Sequence, residues 1–166
     1  WSHGETAVGR VSIGSGELTL ANPGERGLLS SLRNATNLTD FYIEITSNVS
    51  LCRGDDSYGV LVRSASSQDF YRFAITCAGQ IRLERVVNSQ ATLIQDWLYS
   101  GQVPPGSPLV LRLGVWAVGS EMRFFINDYY QFSASDPVMR NGSVGVFSRA
   151  GGGNPLLWQH LFWFLA

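Results

Sequence analysis

Apolar and polar residues alternate along most of this chain with a period of two, the spacing of a strand covered on one side. Between Asp40 and Gln80 the alternation is clearest. Phe41, Ile43 and Ile45 alternate with Tyr42, Glu44 and Thr46; Tyr58, Val60 and Val62 with Gly59, Leu61 and Arg63. Tyr71, Phe73, Ile75 and Cys77 alternate with Arg72, Ala74 and Thr76. Three adjacent runs of this kind predict an antiparallel meander.

Similar runs flank it. Arg10 to Asn22 predicts two short strands turning at Ser15-Gly16, with Leu18 and Leu20 inward, and Leu28 to Arg33 predicts another. Ala78-Gly79 and Asn88-Ser89 are turn signals on either side of Gln80–Val87, and Ala91–Tyr99 follows. Leu109 to Val118 reads as a long strand, with Leu109, Leu111, Leu113, Val115 and Ala117 inward and Arg112, Gly114 and Trp116 on the other face. Gly119-Ser120, Asn127-Asp128 and Asn141-Gly142 turn the chain between later runs. About a dozen short strands, with no helical segment beyond a turn or two, predict an all-β antiparallel sandwich.

A length of 166 residues fits one domain over 1–166. Residues 1–9 read as an irregular lead-in and 156–166 as a terminal strand. A formal net charge of −1 gives no reason to expect a nucleic-acid partner. No run of 18 apolar residues exists, so no membrane span is expected. All 12 basic residues are arginine, a bias that either a GC-rich genome or a use for planar hydrogen-bonding groups would produce. Cys52 and Cys77 have no CxxC spacing and no neighbouring His, and they sit at strand ends. That predicts a structural disulfide and an oxidising compartment, hence a secreted or cell-surface protein. A chain that starts at Trp1 fits one whose targeting segment has been removed. Asn34, Asn37, Asn48 and Asn141 stand in glycosylation sequons, which matter only in a host that uses them.

The segments DFYIEI, YGVLVR, DFYRFAI, RLGVWAVGSEMRFFIND and GSVGVF together resemble concanavalin A-like jelly-roll domains, in particular the laminin-G-like and 3-keto-disaccharide-hydrolase-like bacterial extracellular modules. The resemblance covers roughly Gly16 to Phe147 and implies the jelly-roll fold. For function it implies only a range, from lectins and carbohydrate-binding modules to glycosidases and adhesion domains. Such domains often begin with an acidic-aromatic first strand, which is missing ahead of Trp1.

Candidate chemistry is sparse. A laminarinase-type glycosidase needs two neighbouring carboxylates, and the ExDxxE spacing that supplies them is absent. Glu44 alternates outward alone, and Glu84 is flanked by Arg82 and Arg85, which favour its ionised form. Asp55 and Asp56 lie in a turn where Asp bonds its own backbone; calcium ligation is the alternative and Ca2+ the one cofactor the sequence admits. Arg53-Gly54-Asp55 spells the integrin tripeptide. His3 and His160 have no triad context.

The outward positions Arg63, Arg72, Arg112 and Trp116 form the leading ligand-binding set if their strands are neighbours. An indole flanked by planar donors suits a sugar ring, apolar on its face and hydroxylated at its rim. Pairing of these arginines with Glu44 and Glu84 is the alternative. Tyr58 and Trp97 either reach the same region or belong to the core. The terminal run LLWQHLFWFLA is apolar on both alternations, so Phe162, Trp163 and Phe164 are expected at an interface, with the missing first strand leaving an open edge.

Three functions follow in order. The first is a non-catalytic extracellular carbohydrate-binding or recognition domain whose partner is a glycan or polysaccharide. The second is a structural subunit of a cell-surface or filamentous assembly completed by strand exchange. The third is a glycosidase-like enzyme.

Overall fold

The computed structural model describes residues 1–22 and 27–151, together with the backbone of 160–165. Among the described residues there are fourteen strands and no helix. They are β1 (Gly4–Glu5), β2 (Arg10–Gly14), β3 (Glu17–Asn22), β4 (Gly27–Leu32), β5 (Phe41–Val49), β6 (Ser57–Ser64) and β7 (Phe70–Thr76). Then follow β8 (Gln80–Val87), β9 (Gln90–Tyr99), β10 (Leu109–Val118), β11 (Glu121–Ile126), β12 (Tyr129–Ser135), β13 (Ser143–Ala150) and β14 (His160–Leu165). Eight form one sheet in the order β1-β2-β3-β14-β5-β10-β11-β12, and six form the other in the order β4-β13-β6-β7-β8-β9.

The inward residues read from the alternation form the core between the sheets. Leu111, Leu113, Val115 and Ala117 of β10 are buried, as are Tyr58, Val60 and Val62 of β6 and Tyr71, Phe73 and Ile75 of β7. Phe73 of one sheet meets Phe124 of the other at 4.8 Å between ring centroids, and Phe124 stacks on Phe132 at 4.9 Å. The two-residue turns also form as expected. Ser15-Gly16, Asn88-Ser89 and Asn127-Asp128 all have positive φ at both positions, the conformation whose twist matches a hairpin.

Two expectations need correction. The run from Asp40 to Gln80 is not one meander: β5 pairs with β10 and β14 in the eight-stranded sheet, whereas β6 and β7 pair in the other. Alternation specifies which side of a strand is wet but not which sheet the strand joins, and the link after β5 crosses the sandwich. Cys52 lies in that link and is disulfide-bonded to Cys77 at the end of β7, with 5.4 Å between Cα atoms. The bridge is thus present, but it ties the crossing link to a strand end.

The open terminal edge is also absent. β14 pairs with β3 on one side, from Glu17 to Asn22, and with β5 on the other, from Thr46 to Val49. Both its edges are satisfied within the chain, which removes the reason for strand exchange. The side chains of Phe162, Trp163 and Phe164, expected at an interface, lie outside the described residues. Residues 1–9 carry only the short strand β1. β1 pairs with β2, and the Ser2 amide donates to the Leu32 carbonyl at 2.9 Å.

Candidate functional site

On the outer face of the six-stranded sheet, the register sets opposite charges side by side. Arg72 of β7 stands directly across from Glu84 of β8, and Arg82 of β8 across from Ala74. Glu84 accepts from Arg72 through one oxygen, at 2.8 Å from Nε and 2.5 Å from Nη2. Its other oxygen pairs with Arg82 Nη2 at 2.5 Å. The Glu84 side chain is only 7% exposed, so the triad sits within the surface and not on it. Beside it on the same face lies a second apolar cluster of Leu61, Phe70, Ala74, Val86 and Phe147. The Arg72 guanidinium lies 5.8 Å from the Phe147 ring centroid, covering it.

Trp97 of β9 closes one side. The Arg82 guanidinium stacks on its ring at 4.4 Å, a cation–π contact. Arg149 of β13 and the Asp55 turn stand at the rim. Together these groups enclose a recess of about 210 Å³. Burial lowers the Arg82 pKa; the Glu84 charge raises it, and the Arg72 and Arg149 charges lower it further.

The structure brings together only part of the expected set. Arg72 and Trp97 line this recess. Arg63 does not share their face: it is fully buried. The β6–β13 pairing shifts register between Leu61 and Ser64, where Val62 and Arg63 oppose one residue, and Arg63 adopts φ 52°. Such a bulge breaks the alternation and sends Arg63 inward after Val62. There its Nη1 donates to the Met139 carbonyl at 3.2 Å. Tyr58 is core, at 1% exposure.

Arg112 and Trp116 lie on the opposite surface, the outer face of the eight-stranded sheet. Arg112 pairs with Glu44 at 3.6 Å and with Asp128, which is the carboxylate-pairing alternative. The Arg123 guanidinium lies 4.6 Å from the Trp116 ring centroid. Tyr42 reaches across Gly114, where an added Cβ would come within 2.9 Å of the phenol oxygen.

The acidic turn behaves as a turn. Asp56 is buried, accepting from the Arg53 amide at 3.0 Å and the Gly151 amide at 2.8 Å. Among the described residues no group of three or more His, Cys, Asp or Glu is placed to hold a metal, so calcium ligation by Asp55 and Asp56 finds no third protein ligand of these types. His3 is exposed, with its Nδ1 3.2 Å from the Trp1 carbonyl oxygen.

Sequence reasoning missed Arg82 and Arg149 as site residues; Glu84 it set aside as a catalytic acid and named as an ion-pair partner for the outward arginines, which it is for Arg72. The signal available was the Arg82-x-Glu84 spacing, which puts both side chains on one face of β8. At the sandwich end, Tyr71 donates to Asp136 at 2.9 Å and Arg85 pairs with the same carboxylate at 2.6 Å. Burial pushes the Tyr71 phenol up to about 12.

No family model matches the sequence. Among solved structures, the chain is similar to a carbohydrate-binding module, CBM66, from Bacillus subtilis, with 14% identity over 98% of this chain and 87% of that one at a TM-score of 0.60. It is similar to a Bacillus licheniformis beta-glucanase at 9% identity over 93% and 79%, TM-score 0.63. A Bacillus subtilis protein of unknown function with a galectin-like fold superposes at 0.60, with 11% identity over 95% and 83%. The fold is a jelly roll, shared with these proteins. At these identities the likeness is one of fold, and the jelly roll's function has to be read from its own surface. Among the described residues, no helix is long and apolar enough to cross a membrane.

Proposed function

We propose that this jelly roll is a non-catalytic carbohydrate-recognition domain, secreted or displayed at a cell surface, that takes its ligand in the recess of the six-stranded sheet. The observation that carries the reading is the Arg72–Glu84–Arg82 triad with Trp97 stacked on Arg82. The triad fixes planar donors in place before any ligand arrives, so little rotamer freedom is lost on binding. The indole offers an apolar ring edge and face to the C–H surface of a sugar. A carbohydrate-binding module and a beta-glucanase among the similar folds support glycan as the ligand class. The disulfide supports an oxidising, extracellular location.

The same geometry argues against catalysis. Glycoside hydrolysis uses a protonated carboxylic acid and a second carboxylate. Glu84 has a guanidinium on each oxygen, so both oxygens are already engaged in ion pairs and neither is presented to a ligand. The other carboxylate at the recess, Asp55, sits on an exposed turn.

The test is a glycan array followed by calorimetry on wild type, Trp97→Ala and Trp116→Ala, with a reducing-sugar assay on every bound glycan. Binding without new reducing ends, weakened at least tenfold by Trp97→Ala alone, is the expected result. Turnover, or loss of binding with Trp116→Ala alone, overturns the proposal.

A further inference from the structure

We infer that the glycan taken by this recess is acidic, a polysaccharide bearing carboxylate or sulfate groups. The inference rests on the recognition reading above and narrows its ligand class. Three guanidiniums, of Arg72, Arg82 and Arg149, line the recess against two carboxylates, of Glu84 and Asp55. Glu84 is already shared between Arg72 and Arg82, at 2.5 Å to each. Arg149 has no ion-pair partner among the described residues, and it is exposed at the rim.

The register explains why Arg149 faces this space. It stands across from Ser57 of β6, whose own partner is Thr76 of β7, so the row from Arg149 to Thr76 borders the triad. Ser57 and Thr76 bring only short hydroxyl side chains, which cannot neutralise a guanidinium. Burial is the main cause that lowers the Arg82 pKa, and the nearby Arg149 charge acts in the same direction, behind that of Arg72.

A second observation points the same way. Arg82 Nε is buried at the lining and has no acceptor among the described residues. A buried N–H without a partner is unfavourable, and an acceptor brought to it removes that penalty. A sugar hydroxyl supplies an acceptor but no charge; a carboxylate or sulfate supplies both and relieves the repulsion between Arg82 and Arg149. Arginine is suited to this role because its planar fork matches both anions bidentately. The excess is local, since the whole chain carries a formal net charge of −1. Attraction at the recess is therefore a property of the site and not of a generally basic protein.

The experiment measures binding of polygalacturonate, heparin and laminarin to wild type, Arg149→Ala and Trp97→Ala by calorimetry, with NaCl at about 0.05 M and about 0.5 M. Arg149 is exposed, so its replacement should leave the melting temperature unchanged, which is checked first. The expected result is that polygalacturonate or heparin binds, that high salt weakens it at least tenfold, and that Arg149→Ala does the same at low salt. Binding of polygalacturonate shows that a carboxylate suffices, whereas binding of heparin, which carries carboxylates and sulfates, without polygalacturonate assigns recognition to sulfate. Binding of laminarin alone, lost in Trp97→Ala and indifferent to salt and to Arg149→Ala, overturns the inference and leaves the recognition reading standing. Binding of none of the three to wild type, with no hit on the glycan array, overturns both.

Discussion

Glu84 is the residue whose loss should register most sharply, because two guanidiniums depend on it. Replacing it with Gln keeps its size and removes its charge. The Glu84 and Arg72 side chains are 7% and 13% exposed, so this pair lies in the regime where removing one partner strands a buried charge. Breaking such a pair costs about 3–5 kcal/mol. Arg82 is 21% exposed and stays stacked on Trp97, which retains some solvation and places the expected cost near the low end, about 3 kcal/mol. For a domain of this size, about 2–4 °C is lost per kcal/mol, so the melting temperature should fall by about 6–12 °C. Urea unfolding of wild type, Glu84→Gln and the double variant Arg72→Met/Glu84→Leu measures it. In the double variant, apolar side chains meet the cluster of Leu61 and Phe147 beside them, and most of the loss should be recovered. A cost below about 1 kcal/mol for Glu84→Gln would mean the triad behaves as an exposed surface pair, and the preorganised floor of the recess would be refuted.

Stability should fall in alkali. Burial chiefly raises Tyr71 from 10.0 to about 12, so the folded state keeps a proton the unfolded chain has released; stability is complete below pH 10 and declines toward pH 12 by about 2–3 kcal/mol. Tyr71→Phe should flatten that decline in urea titrations run across the range; an unchanged slope contradicts the assignment. Removing the disulfide as Cys52→Ser/Cys77→Ser, with a sequence separation of 25, should cost about 3 kcal/mol of unfolding free energy by the loop-closure estimate. Trp116→Ala removes the ring under Arg123 on the far sheet, and should cost about 1–2 kcal/mol in urea melts while leaving glycan affinity unchanged.

Much of the fold is legible in the sequence because it depends on local rules. Alternation placed Leu111, Leu113 and Val115 inside and Arg112 and Trp116 outside, and turn chemistry located Asn88-Ser89 and Asn127-Asp128. What alternation does not contain is the sheet to which a strand belongs. Arg72 and Trp116 are both outward, yet they occupy opposite surfaces of the sandwich because β7 and β10 join different sheets. Arg63 fails for a different reason. One extra residue at Val62-Arg63 inverts its side, and nothing in the run YGVLVRS announces that bulge. The recess itself depends on the register of β7 against β8, which sets Arg72 opposite Glu84. The sequence offered pairing of the outward arginines with Glu44 and Glu84 as the alternative to ligand binding, and the register makes the pairs Arg72–Glu84 and Arg112–Glu44. The double-sided terminal run was read as an open edge, whereas β14 is a central strand of its sheet.

The most direct test of glycan recognition in the six-stranded sheet is a titration followed by NMR of the tryptophan indole N–H resonances, each assigned by single replacement. With polygalacturonate oligomers added, the Trp97 resonance should shift and saturate, and Arg149→Ala should weaken that response at least tenfold, while the Trp116 resonance on the opposite surface stays in place. Movement of Trp116 with Trp97 unmoved would contradict the account.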